Sequence, residues 1–142
     1  MTPEMNPKGY RHAMFAGFAG SLVGIGLARF AYTPLIPVLI EAGWFAPSDV
    51  VYLGAANLAG YLAGALAART MAAKFSARLV LRAVMLLAAV AFFACAVPIS
   101  FSWYFIWRFL SGLAGGAVMV LAASTILPNV PVHRRGLAGG II

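Results

Sequence analysis

Residues 24–40 read GIGLARFAYTPLIPVLI, an apolar run interrupted by a single charge, Arg29. A charged side chain at the centre of a bilayer costs about 2.5 to 3.5 kcal/mol on insertion scales. The run otherwise looks built for lipid, so its arginine must be there for a reason. The rest of the chain decides. Of 142 residues, 63% are hydrophobic and only 9% are Asp, Glu, Lys or Arg, with a mean hydropathy of +0.96. A soluble domain carries about a quarter charged residues. An all-α membrane protein is expected, with the lipid bilayer as its first partner. The formal charge of +7 does not indicate nucleic acid, because the basic residues lie in short patches between apolar runs and not on one solvated surface.

A spanning helix needs roughly 20 mainly apolar residues, and four such stretches follow one another: residues 13–40, 48–68, 79–99 and 103–127. A polar tail, residues 1–12, precedes them. A loop, residues 128–135, follows them, and GLAGGII, residues 136–142, reads as the start of a fifth span. On this reading the chain is a fragment whose missing C-terminal helices are its partners. The breaks carry turn and charge signals at residues 41–47, 69–78, 98–102 and 128–135. Lys8 and Arg11 precede the first span, Arg69, Lys74, Arg78 and Arg82 surround the second break, and Arg134 and Arg135 follow the fourth span. The two remaining loops hold no Lys or Arg. Short cytoplasmic loops are enriched in these residues, so the N-terminus and the end of the fourth span are expected in the cytoplasm. A cleaved signal peptide also opens with basic residues, but no small-x-small cleavage site precedes the PLIP segment.

Lipid supplies no hydrophobic force between helices, so their association favours small residues four apart. Gly20, Gly24 and Ala28 form such a stripe in the first span, Ala56, Gly60, Gly64 and Ala68 in the second, and Gly112 and Gly116 in the fourth. These stripes read as helix contacts. Pro34 and Pro37 each remove a backbone hydrogen bond from the end of the first span and invite a kink there.

A second arginine, Arg108, lies about 8 Å into the expected fourth span at the helical rise. The three acids, Glu4, Glu41 and Asp49, all fall outside the spans or at their ends. Arg29 and Arg108 therefore need backbone carbonyls, an acid elsewhere in the protein, or an anionic ligand. At helical spacing Tyr32 and Thr33 share the face of Arg29, and Tyr104 and Ser111 share the face of Arg108. Asn57 and Tyr61 make a polar edge on the second span. For Asn57, Tyr61, Ser111 and Ser124, a hydrogen bond to a neighbouring helix competes with ligand contact. His12 and His133 stand alone at the expected cytoplasmic edge, and Cys95 reads as a small buried hydrophobe. No catalytic residue, metal site or cofactor is expected.

Four spans in this orientation, with GLARFAYTPLIP in the first, GYLAGALAAR closing the second and RFLSGLAGG in the fourth, resemble the N-terminal part of a major facilitator superfamily (MFS) transporter. The wording of the first span is most similar to the YbfB/YjiJ-type branch. The resemblance covers nearly the whole chain, but about a third of a typical twelve-span member. It implies four helices of an N-terminal six-helix bundle, truncated at the start of the fifth, and secondary active transport of a small organic solute by alternating access in a bacterial inner membrane. It places the first and fourth spans on the central cavity. Arg29 and Arg108 are then candidate substrate or coupling residues, with Tyr32, Thr33, Asn57 and Tyr61 beside them, and Arg69, Lys74 and Arg78 belong to a cytoplasmic gate or loop. The unpaired arginines favour an anionic solute. One departure stands out: the family pattern Gly-x-Leu-Ala-Asp-Arg is met by Gly64, Leu66, Ala67 and Arg69, but Ala68 replaces the aspartate, and Met71 replaces a following glycine. The alternative reading is a complete four-span accessory or assembly subunit without transport activity.

Overall fold

The computed structural model describes residues 32–97 and 99–126, with positions 15, 18–20, 22, 23 and 26 before them. Four helices follow in order: α1 (Tyr32–Glu41), α2 (Pro47–Phe75), α3 (Ala77–Ala94) and α4 (Phe101–Ile126). No strand occurs among the described residues. By length and composition α2, α3 and the Phe101–Ala122 part of α4 can each cross a membrane, and α1 is a shorter apolar helix. The chain is thus a multi-pass membrane protein. Most of the expected first span, Arg29 included, lies outside the described residues.

The helix ends follow local chemistry. Gly43 adopts φ +69 just after α1, where its N–H donates to Ile40 O and that of Trp44 to Leu39 O, both at 3.0 Å. This is the paired closure that a left-handed residue permits and that a Cβ would strain. Pro47 then opens α2 at a position where its missing N–H costs nothing, and the Asp49 carboxylate accepts from Ala46 N–H at 3.3 Å. Glu41 and Asp49 mark this as the acidic end of the bundle.

At the basic end the stretch over residues 69–78 is helical apart from Ser76. The segment RTMAAKF contains neither glycine nor proline, so α2 carries its helix to Phe75 and reaches about 43 Å, well beyond a hydrocarbon core of about 30 Å. Ser76 alone separates α2 from α3, at φ +70, and its Oγ accepts from Leu79 N–H at 3.5 Å. The third span, expected to reach residue 99, ends as a helix at Ala94. Trp103 Nε1 donates to Ala94 O at 2.9 Å and Tyr104 OH to Cys95 O at 2.6 Å. Two successive aromatics of α4 thereby take up carbonyls that a helix end leaves unsatisfied.

The helix contact that organises the fold is α2 against α4. A Cβ on Gly60 would collide with the carbonyl of Phe109, and one on Gly64 with that of Leu113. Reciprocally, a Cβ on Gly112 would strike the carbonyl of Asn57 and one on Gly116 that of Tyr61. Both numbers rise together, so the two helices run parallel. The hydrogen in place of each missing Cβ is aimed at a carbonyl oxygen, the Cα–H···O arrangement that recurs at helix interfaces. Ala56 and Ala68 extend the stripe and are buried. Opposite it, Leu58, Leu62 and Leu66 are exposed, an apolar face suited to lipid.

Two apolar clusters flank the middle of α4. Toward the acidic end, Tyr32, Leu39, Phe45, Val50, Leu53 and Tyr104 pack together. Toward the basic end, Ala68, Val80, Val84, Ala88, Ala114, Ala117, Val118 and Leu121 do so. Ala68 is 0% exposed within the second. The position where the resembled pattern carries aspartate is here a dry contact of three helices, which accounts physically for the small apolar residue.

Candidate functional site

Between the two clusters lies a cavity of about 440 Å³. Tyr32 and Leu35 of α1 line it, with Met85, Ala88, Ala91 and Phe92 of α3, Cys95 just beyond, and Tyr104, Arg108 and Ser111 of α4. The three α4 residues recur at four and three positions, one face of a helix, as the sequence spacing implies. All three are buried.

Arg108 is the only charged residue among the described lining residues. It stands two turns into α4, about 10 Å from the start of the helix, deeper than expected because α4 begins at Phe101 rather than Trp103. Long cationic side chains near a span end usually reach out to the interface. Arg108 does not, since only 6% of it is exposed. Its guanidinium carbon instead lies 4.1 Å from the centroid of the Tyr32 ring. A cation–π contact is worth roughly 0.5 to 2 kcal/mol, less than the roughly 2.5 to 3.5 kcal/mol that an arginine costs in a span. Moreover, its Nε is buried and has no hydrogen-bond partner among the described residues. Among the described residues, neither contact offsets the charge of the guanidinium in full.

The backbone behind this charge is fixed from α2. Asn57 Nδ2 donates to Arg108 O at 2.9 Å, fully buried, immediately beside the glycine contacts. Tyr104 is held twice, by its bond to Cys95 O and by its ring 4.9 Å from that of Phe45. Tyr32 OH reaches Val50 O at 3.5 Å, at the long limit for a hydrogen bond.

The sequence candidates separate accordingly. Tyr32 and Arg108 meet in the cavity. Thr33, expected on the same face as Tyr32, is exposed and does not line it. Asn57 is buried behind Arg108 and engages a neighbouring helix. Tyr61 is half-buried, has interactions of its own and lies off the cavity wall. Arg69, Lys74 and Arg78 are exposed around Ser76, at the basic end. Arg29 lies outside the described residues. Ser124 donates within its own helix, to Leu121 O at 3.1 Å. Cys95 is half-buried, caps α3, packs against the cluster at the acidic end and lines the cavity. Among the described residues no group of His, Cys, Asp and Glu is placed to hold a metal ion.

Residues 21–142 match the family model described as the uncharacterised MFS-type transporter YbfB. No curated protein and no solved structure matches the chain. The match covers the membrane helices and every described cavity residue from Val23 onward, and on it the chain belongs to the YbfB family of MFS-type transporters.

Proposed function

We propose that this chain carries part of the substrate pathway of a secondary active transporter for a small organic anion, working by alternating access in a bacterial inner membrane with its N-terminus in the cytoplasm. The single observation that carries the anion is Arg108, a buried arginine on a cavity wall whose Nε has no hydrogen-bond partner among the described residues. Family membership supports transport, and the basic residues at one end of the bundle support the orientation. On this reading α1 and α4 belong to the first and fourth spans of an MFS N-terminal bundle, and Arg29 supplies a second cation to the same path. Thr33 is assigned to that path too. Asn57 and Tyr61 hold α2 against α4. Alternating access in such folds is largely rigid-body rocking, and two helices whose backbones interlock through four glycines are suited to move as one body. Arg69, Lys74 and Arg78 are assigned to a cytoplasmic gate.

The test is counterflow in vesicles that hold the purified full-length protein and are preloaded with a mixture of small organic acids. Labelled acid should enter well above protein-free vesicles, and Arg108→Gln should reduce entry at least tenfold. Undiminished entry in Arg108→Gln would remove Arg108 from the mechanism. If no solute of any charge moves, the accessory-subunit reading takes over.

A further inference from the structure

We infer that Arg82, with Arg78 one turn before it, holds the headgroup phosphate of an anionic phospholipid whose acyl chains run down the outer side of α3 past Leu86. The inference depends neither on the cavity nor on transport. It comes from the side of α3 on which these charges stand.

α3 divides into two sides. Val80, Val84, Ala88 and Ala91 are buried and fall together at the helical turn of about 100° per residue. Arg78, Arg82, Leu86 and Phe93 are exposed and fall within about 80° of one another on the opposite side. The helix is long and apolar enough to cross a membrane, and Arg82 stands about 8 Å from its start at the helical rise. A charge inside a span normally turns to the bundle interior or to a water-filled cavity. Arg82 turns away from the interior, so its guanidinium has to reach back along the helix to headgroup level. Helical side chains lean toward the N-terminus of their helix, which in α3 is the basic end, so the helix itself directs Arg82 that way.

The bilayer supplies the counter-charge. Arg69, Lys74, Arg78 and Arg82 put four positive charges within residues 69–82, all of them exposed, and such a cluster at the end of a span gathers anionic lipid. Of the three acids in the sequence, Glu41 and Asp49 stand at the other end of the bundle and Glu4 lies outside the described residues. Arginine grips a phosphate by paired N–H bonds, and two arginines one turn apart share one phosphate level. A zwitterionic headgroup carries an ammonium close to its phosphate, and these bases repel it. Phosphoglycerol brings the negative charge alone. A soluble anion would gain nothing from Leu86, one turn deeper on the same side, whereas a phospholipid lays its chains there. Arg78 is thereby shared with the gate proposed above.

The test places a bimane on Leu86→Cys, made the single cysteine of the full-length protein, and measures its quenching by brominated phosphatidylglycerol and by brominated phosphatidylcholine in mixed vesicles. Phosphatidylglycerol should be preferred by at least about threefold at this position. Phe93→Cys, about 11 Å further along the same side, should show near parity. This comparison leaves both arginines in place, so it decides even if their variants fold poorly. Arg78→Gln together with Arg82→Gln should bring the Leu86 position to parity, and Arg82→Lys should keep most of the preference, because an ammonium also binds phosphate. Equal quenching by the two lipids at Leu86, the same preference at Phe93, or a preference that survives the loss of both arginines would overturn the proposal. Absence of quenching by either lipid at Leu86 would show that protein covers this side, and would overturn it as well.

Discussion

The Arg108 guanidinium carbon stands 4.1 Å from the centre of the Tyr32 ring, so a charge on α4 depends on an aromatic of α1. The ring supplies the contact and the hydroxyl adds only a bond at the long limit. Tyr32→Phe should therefore leave stability within about 0.5 kcal/mol of the original, whereas Tyr32→Leu should lose roughly 0.5 to 2 kcal/mol. Thermal unfolding of the two variants in the same detergent distinguishes them, and equal losses would show that the hydroxyl matters as much as the ring.

The glycines between α2 and α4 permit a test with its control in the same helix. Gly60→Ala and Gly112→Ala each drive a methyl into a carbonyl of the facing helix and should cost about 1 to 3 kcal/mol. At Gly54 nothing lies within 4 Å of the added carbon, so Gly54→Ala should be neutral or stabilising by up to about 1 kcal/mol. Thermal unfolding and yield from membranes report both. A uniform response at the three positions would contradict the interlocked backbones.

Ala68 provides a third case. Ala68→Asp restores the acid of the resembled loop pattern, but at a site that is 0% exposed among apolar side chains. It should lower stability by at least about 2 kcal/mol, and Ala68→Ser should be milder. A wild-type melting temperature for Ala68→Asp would mean that this end of α2 opens to water.

What the sequence disclosed and what it withheld have different physical origins. The stripes Ala56 to Ala68 and Gly112 to Gly116 were legible because small residues four apart are a local pattern, and the structure sets them face to face. The common face of Tyr104, Arg108 and Ser111 was legible for the same reason. Thr33 separated from Tyr32 because adjacent residues on a helix point about 100° apart, and only one of them meets α4. The length of α2 is not legible in the same way, because charged residues at the end of a span do not stop a helix that an alanine-rich segment continues to Phe75. The pairing of Tyr32 with Arg108 joins distant helices, and no local spacing encodes it.

The central claim is that the charge of Arg108 makes this cavity select anions. Cys95 lines the same cavity and is the single cysteine of the 142 residues, so it serves as a reporter. The decisive measurement is the rate at which Cys95 in the full-length protein reacts with a sulfonatoethyl and with a trimethylammonioethyl methanethiosulfonate, each relative to a free thiol and to Cys95→Ser. The anionic reagent should react at least tenfold faster, a preference retained in Arg108→Lys and lost in Arg108→Gln. Equal rates in the original protein, or a faster cationic reagent, would contradict the account.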